Sequence, residues 1–108
     1  MELSGKAARH LRALGHSLDP VVNVGKDGAT KGIVAAVDRA LTDHELIKVR
    51  ILQECPIGRR DAADFLAIQT DAAVAQILGR TILLYRPHPE KPRIVLPVRG
   101  SASSPDED

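Results

Sequence analysis

Hydrophobic residues recur along the chain in two alternating rhythms, one helical and one strand-like. Leu3, Ala7, Leu11, Leu14 and Leu18 are spaced by four, four, three and four. That spacing draws one apolar stripe on a helix, while Arg9, Arg12 and His16 fall on another face. Ser4 is a suitable N-cap for this helix of roughly a dozen residues, and Gly15 and Pro20 mark its end. Val21 to Val24 is a short β-branched strand, followed by a glycine loop. A second helix is expected from about Thr30 to Thr42, with Ile33, Val34, Ala36, Val37, Ala40 and Leu41 forming a broad buried face. Asp43-His44-Glu45 is a polar break expected to be solvated.

Leu46 to Leu52 alternates. Ile47, Val49 and Ile51 form an apolar face, and the other face carries Lys48 and Arg50 among leucines. Pro56 and Gly58 punctuate the exit. A third helix spans roughly Arg59 to Thr70, with Ala62, Phe65, Leu66 and Gln69 in helical register. Ala73–Leu78 and Thr81–Tyr85 are strands joined by Gly79-Arg80, a two-residue connection that needs a positive φ at the glycine. Residues 87–99 are rich in proline and bases and read as an extended surface segment of a single domain, 1–99; residues 100–108 read as a flexible acidic tail.

The resulting order is α-β-α-β-α-β-β. It implies an α/β fold with a four-stranded mixed sheet, in which strand–helix–strand units favour parallel neighbours and the last strand returns antiparallel. If the first three strands share a direction, their C-terminal ends form one rim. The glycine loop, Arg59, Arg60 and Arg80 would then meet there, and a first helix antiparallel to the first strand would bring Lys6 and Arg9 back to it. Ligands of open α/β sheets favour that edge.

Composition narrows the chemistry. Of 108 residues 44% are hydrophobic, enough for a normal core. Aromatic residues make up only 2%, which argues against a stacking platform for single-stranded bases. The net charge of +1 hides an excess of four bases over acids in residues 1–100, since the three acids of the last eight residues have no basic neighbour. That permits an anionic partner, although on charge alone a solvated surface is the favoured explanation. One cysteine, Cys55, excludes an internal disulfide and any cysteine-cluster zinc site, and suggests a reducing compartment. No signal peptide or membrane-length apolar run is visible, so a cytoplasmic, soluble monomer is expected. The four histidines show no metal-ligand spacing, and no acid–base or nucleophile grouping is found; no cofactor and no catalysis are expected.

The stretch with most chemistry is Gly25-Lys26-Asp27-Gly28, followed by a helix start at Thr30 and Lys31. A glycine loop opening a helix presents free backbone N–H groups and a partial positive charge to a phosphate. It lacks the Gly-Lys-Ser/Thr of a P-loop and the first glycine of a dinucleotide fingerprint. Gly-x-x-Gly clamps an RNA backbone in KH domains, where it joins two helices rather than a strand and a helix.

Three segments together resemble a known family. Leu18-Asp19-Pro20-Val21-Val22-Asn23-Val24-Gly25-Lys26-Asp27-Gly28, His44-Glu45-Leu46-Ile47-Lys48-Val49 and Ile77-Leu78-Gly79-Arg80-Thr81-Ile82-Leu83-Leu84-Tyr85-Arg86-Pro87 are similar to the YhbY-type CRM domain, over about residues 2–97. The resemblance implies a fold like the C-terminal domain of translation initiation factor three, and RNA binding through the Gly-x-x-Gly loop. Its single-domain bacterial members are associated with precursors of the large ribosomal subunit, so the expected partner is ribosomal RNA within such a precursor. Carried onto this chain, the RNA-binding residues are Gly25, Lys26, Asp27, Gly28, Thr30 and Lys31, extended by Lys6, Arg9, Arg59, Arg60 and Arg80. Asp27 departs from a family position that is often neutral; an Asx turn that shapes the loop would account for it. Two other roles compete: a module that docks on a ribosomal protein or assembly factor, and a small nucleotide enzyme using Asp27.

Overall fold

The computed structural model describes residues 2–97. Its elements are α1 (Gly5–Gly15), β1 (Pro20–Val24), α2 (Lys31–His44), β2 (Leu46–Ile51), α3 (Arg59–Thr70), β3 (Ala73–Leu78) and β4 (Thr81–Tyr85). The acidic tail, 100–108, and the last residues of the proline-rich segment lie outside the described residues.

The sheet order is β1-β2-β4-β3. β1 pairs parallel with β2, and β4 pairs antiparallel with both β2 and β3. The first three strands therefore share one direction and the last returns against them, as expected. One expectation needs correction: β2 and β3 are not neighbours, because the β3–β4 hairpin folds β4 into the space between them. The hairpin turns at Gly79, whose φ is +59.

Alternation along the strands divides the core in two. Val22, Val24, Ile47, Val49, Ile51, Ile82 and Leu84 face α2 and α3 on one side of the sheet. The buried face of α3 is Ala62, Ala63, Leu66, Ala67 and Thr70. Its small residues let the helix lie close to the sheet, and Phe65 is displaced to a 42% exposed position. On α2 only Val37 and Leu41 are buried, and Ala36 is exposed, so its buried stripe is narrower than the sequence suggests.

The opposite side holds a smaller cluster of Leu11, Leu46, Ala75, Leu83 and Tyr85, with Leu3, Leu18, Ile94 and Leu96 around it. α1 lies here. Ser4 caps it, its hydroxyl accepting from the Ala7 amide at 3.1 Å. A Cβ on Gly15 would stand 2.7 Å from Leu83 Cδ1, so the last turn of α1 approaches the sheet as only glycine allows. Leu14, expected on the buried stripe, is 41% exposed.

The polar break before β2 is the largest departure. His44 is exposed, but Glu45 is completely buried. It ends α2 with φ +65, and its carboxylate accepts hydrogen bonds from the backbone amides of His88 (2.8 Å), Arg93 (3.0 Å) and Ile94 (2.9 Å). Burial alone would raise its pKa. The three amides, helped by the Arg93 guanidinium, outweigh burial and hold the carboxyl below its ordinary value. Tyr85 is pushed up by burial and by the Glu45 charge. The described part of the segment after β4, residues 86–97, has no regular element, yet Glu45 fastens it across the sheet, with Ile94 and Leu96 packed beneath.

Candidate nucleic-acid interface

The C-terminal ends of β1, β2 and β3 form the expected rim, and hydrogen bonds tie its loops together. The Leu52 amide donates to Val24 O at 2.9 Å, the Ile51 amide to Arg80 O at 2.7 Å, and Arg59 Nη1 to Gly79 O at 2.9 Å. Each loop is thus positioned by a neighbour rather than by its own sequence alone.

Within the rim, Gly25 to Gly28 is a tight turn closed by the Gly28 amide on Gly25 O at 3.0 Å. Lys26 and Asp27 occupy its two central positions and are exposed. Gly28 is buried, with φ +73, and a Cβ there would sit 3.6 Å from Pro56 Cγ. The loop therefore rests on the β2–α3 connection. Thr30 caps α2, its hydroxyl accepting from the Ile33 amide at 3.2 Å, while the Thr30 amide donates to Gly28 O. Among the described residues, the first two helical amides, of Lys31 and Gly32, find no acceptor and open outward. Among the described residues no hydrogen bond or ion pair involves the Asp27 carboxylate, so the expected Asx turn is not formed.

The other expected residues divide into those the fold brings to this rim and those it does not. Arg59 and Arg80 line one shallow cleft with Pro56, against which Gly28 packs. Lys31 stands at the mouth of the α2–α3 groove, beside Ala29 and Phe65. Arg60 turns the other way, into a cleft shared with Glu2, Ala8 and Asp64. The expected return of Lys6 and Arg9 to the rim is not seen. α1 lies across β3, β4 and β2 rather than alongside β1, and its first turn sits by Asp71, Ala72 and Val74, where β3 begins. The sheet order is the cause: β3 is at the far edge, and α1 starts there. Arg9 is exposed on the helix face that also carries Arg12 and His16.

One cationic feature was visible in the sequence but not joined to the rim. Lys48 and Arg50 project from the α1 side of β2, and with Arg12 and His16 they line a cleft of about 510 Å³. The signal was the alternation of β2 together with the basic face of α1; what sequence could not supply was that the two face each other.

A three-helix, four-stranded α/β domain with a glycine turn and arginines on the strand-end rim defines a small domain built to present backbone amides and cations at one edge. The chain belongs to the CRS1 / YhbY (CRM) domain family, whose model matches residues 3–86. It is 38% identical over 95 residues to the Bacillus subtilis protein named "Probable RNA-binding protein YqeI", covering 88% of this chain and 99% of that one. A Haemophilus influenzae protein named "RNA-binding protein" is also 38% identical over 95 residues, covering 88% of this chain and 95% of its own length. The solution structure of a Staphylococcus aureus protein superposes with a TM-score of 0.77 at 35% identity, covering 89% of this chain and all of the other.

Proposed function

We propose that this protein binds RNA through its strand-end rim, without catalysis, and that the RNA is ribosomal and carried in a precursor of the large subunit. The observation that carries the reading is the joined rim: the Gly25–Gly28 turn, the free amides of Lys31 and Gly32, and Arg59 and Arg80 held by hydrogen bonds on one edge. Backbone amides at a helix start hold phosphate oxygens, and lysine and arginine beside them add charge. The names of the Bacillus and Haemophilus relatives favour RNA over other polyanions. Scarcity of aromatic residues favours recognition of backbone shape over stacking on splayed bases. The particle assignment rests on the resemblance to single-domain family members, and the match to 99% of the Bacillus relative's length supports it; the proposed form is a cytoplasmic monomer.

The test is binding to a transcript of large-subunit ribosomal RNA across a salt series, alongside sedimentation with precursor particles from extract. Affinity should fall steeply between low and physiological salt. Lys26→Glu with Lys31→Glu should weaken binding by about tenfold or more and release the protein from particles. A flat salt response, or a double variant that still binds and cosediments, would overturn the reading in favour of a protein-docking module.

A further inference from the structure

The two halves of the sheet's α1 side are treated differently. Toward the start of β3, Leu11 and the fastened segment with Ile94 and Leu96 cover Leu46, Ala75 and Tyr85. Toward the strand ends, among the described residues, the sheet is left open beside the last turn of α1, and the two form a cleft. Lys48 and Arg50 stand there on β2, a strand paired on both sides. A strand in the interior of a small sheet normally buries apolar side chains or pairs its charges. Here neither cation does: among the described residues no side-chain hydrogen bond or ion pair involves Lys48 or Arg50, and none involves Arg12 or His16 across the cleft. The one acid in the lining, Asp19, pairs with none of them. Three permanent cations and a histidine thus share a concave wall of low-dielectric sheet, which concentrates their field.

The cleft also opens onto the rim. Arg50 pairs across the sheet with Asn23, two residues before Gly25, and with Thr81, the residue after Arg80. At the usual rise of a strand, two residues span about 7 Å. An anion held at Arg50 therefore lies next to one held at the glycine turn.

We propose that this cleft is a second RNA-backbone site, in which Arg12, Lys48 and Arg50 hold phosphates of the same RNA whose neighbouring backbone sits on the Gly25–Gly28 rim. The inference rests on the RNA-binding reading above and adds a surface to it. The rim alone offers a single edge; rim and cleft together grip backbone around a corner of the sheet. That geometry selects a bent or folded RNA over a straight duplex.

Filter binding of a large-subunit ribosomal RNA transcript over a salt series tests it, comparing the wild type with Lys48→Gln/Arg50→Gln. The double variant should lose about tenfold in affinity at low salt. Its slope of log affinity against log salt should flatten by roughly two, one per lost phosphate contact. Arg12→Gln approaches the same cleft from α1 and should flatten the slope by about one, which keeps the test open should the β2 variant fail to fold. A photo-crosslinking residue at Gln76, on the cleft wall, should capture RNA. Folded variants with unchanged affinity and slope would overturn the proposal and point to an acidic protein segment as the occupant. If the wild type itself shows no salt-dependent RNA binding, the functional reading fails and this inference with it.

Discussion

The two ends of α2 are both short, polar and glycine- or acid-containing in sequence, and the fold uses them in opposite ways. At the entrance, Lys26 and Asp27 are exposed, and among the described residues the amides of Lys31 and Gly32 are left without acceptors. At the exit, the acid is completely buried and its carboxylate is engaged by backbone amides. Glu45 accepts from three backbone amides of the last segment, and its own carbonyl takes the Arg86 amide at 2.8 Å. The Arg86 guanidinium closes the same end, bonding Asp38 Oδ1 at 2.7 Å, Thr42 Oγ1 at 2.9 Å and Thr70 O at 2.8 Å. A cation there also suits the negative end of the helix dipole. Polar groups that are satisfied internally hold the fold, and polar groups left unsatisfied at the surface are available to a ligand. α2 has one end of each kind.

The exit should therefore break the fold and spare RNA contacts, and the entrance the reverse. The largest effect is expected from Glu45→Ala. It strands three amides under the last segment, each costing about 1–3 kcal/mol when unsatisfied, so a loss of about 3–5 kcal/mol is expected in urea unfolding. The segment from Pro87 should become sensitive to protease. The same carboxylate sets an acid dependence. Its folded pKa is below the unfolded value, so its stabilisation is complete above the ordinary glutamate range and is lost as pH falls through the folded pKa. Wild-type stability should decline on acidification, and Glu45→Gln should flatten that limb while being less stable at neutral pH. An unchanged acid limb in Glu45→Gln would show that other carboxylates govern it.

Why the entrance was legible in the sequence and the exit was not follows from the same contrast. The glycine loop after β1, the helix start at Thr30 and the Gly79 turn are local, and the structure has each where the pattern put it, because backbone conformation within a few residues decides them. Element order and strand direction were legible for a similar reason, since connection lengths limit the topologies. Glu45 looked like a solvated break because its partners lie 43 to 49 residues away, at His88, Arg93 and Ile94. The insertion of β4 between β2 and β3, the course of α1 and the facing of Lys48 and Arg50 by Arg12 are likewise long-range facts. The misplacement of Lys6 and Arg9 came from one of these, the assumed course of α1.

A smaller effect is expected at Gly28, where entrance and core meet. Its φ of +73 is costly for a residue with a Cβ, while the 3.6 Å approach to Pro56 is ordinary contact. Gly28→Ala should thus lose about 1–2 kcal/mol from backbone strain rather than from crowding. RNA affinity should fall with it if the turn relaxes. Stability that falls while affinity holds would mean that the lysines act without the turn's shape.

The smallest expected effect is also the sharpest test of the entrance. Asp27 carries a negative charge in the centre of a turn read as a phosphate site, and among the described residues its side chain has no partner. Asp27→Asn should leave unfolding unchanged, since no internal contact is lost. Removing the repulsion should tighten RNA binding by roughly two- to fivefold at low salt, and the gain should shrink as salt screens it. The opposite sign would be the more instructive result. A carboxylate can accept from a ribose 2′-hydroxyl or from a base amino group, and asparagine does so more weakly. Weaker binding by Asp27→Asn, persisting at high salt, would make Asp27 a specificity contact, with Lys26 balancing its charge. The entrance would then read RNA features as well as phosphate, which the exposed, unpaired position of the side chain allows.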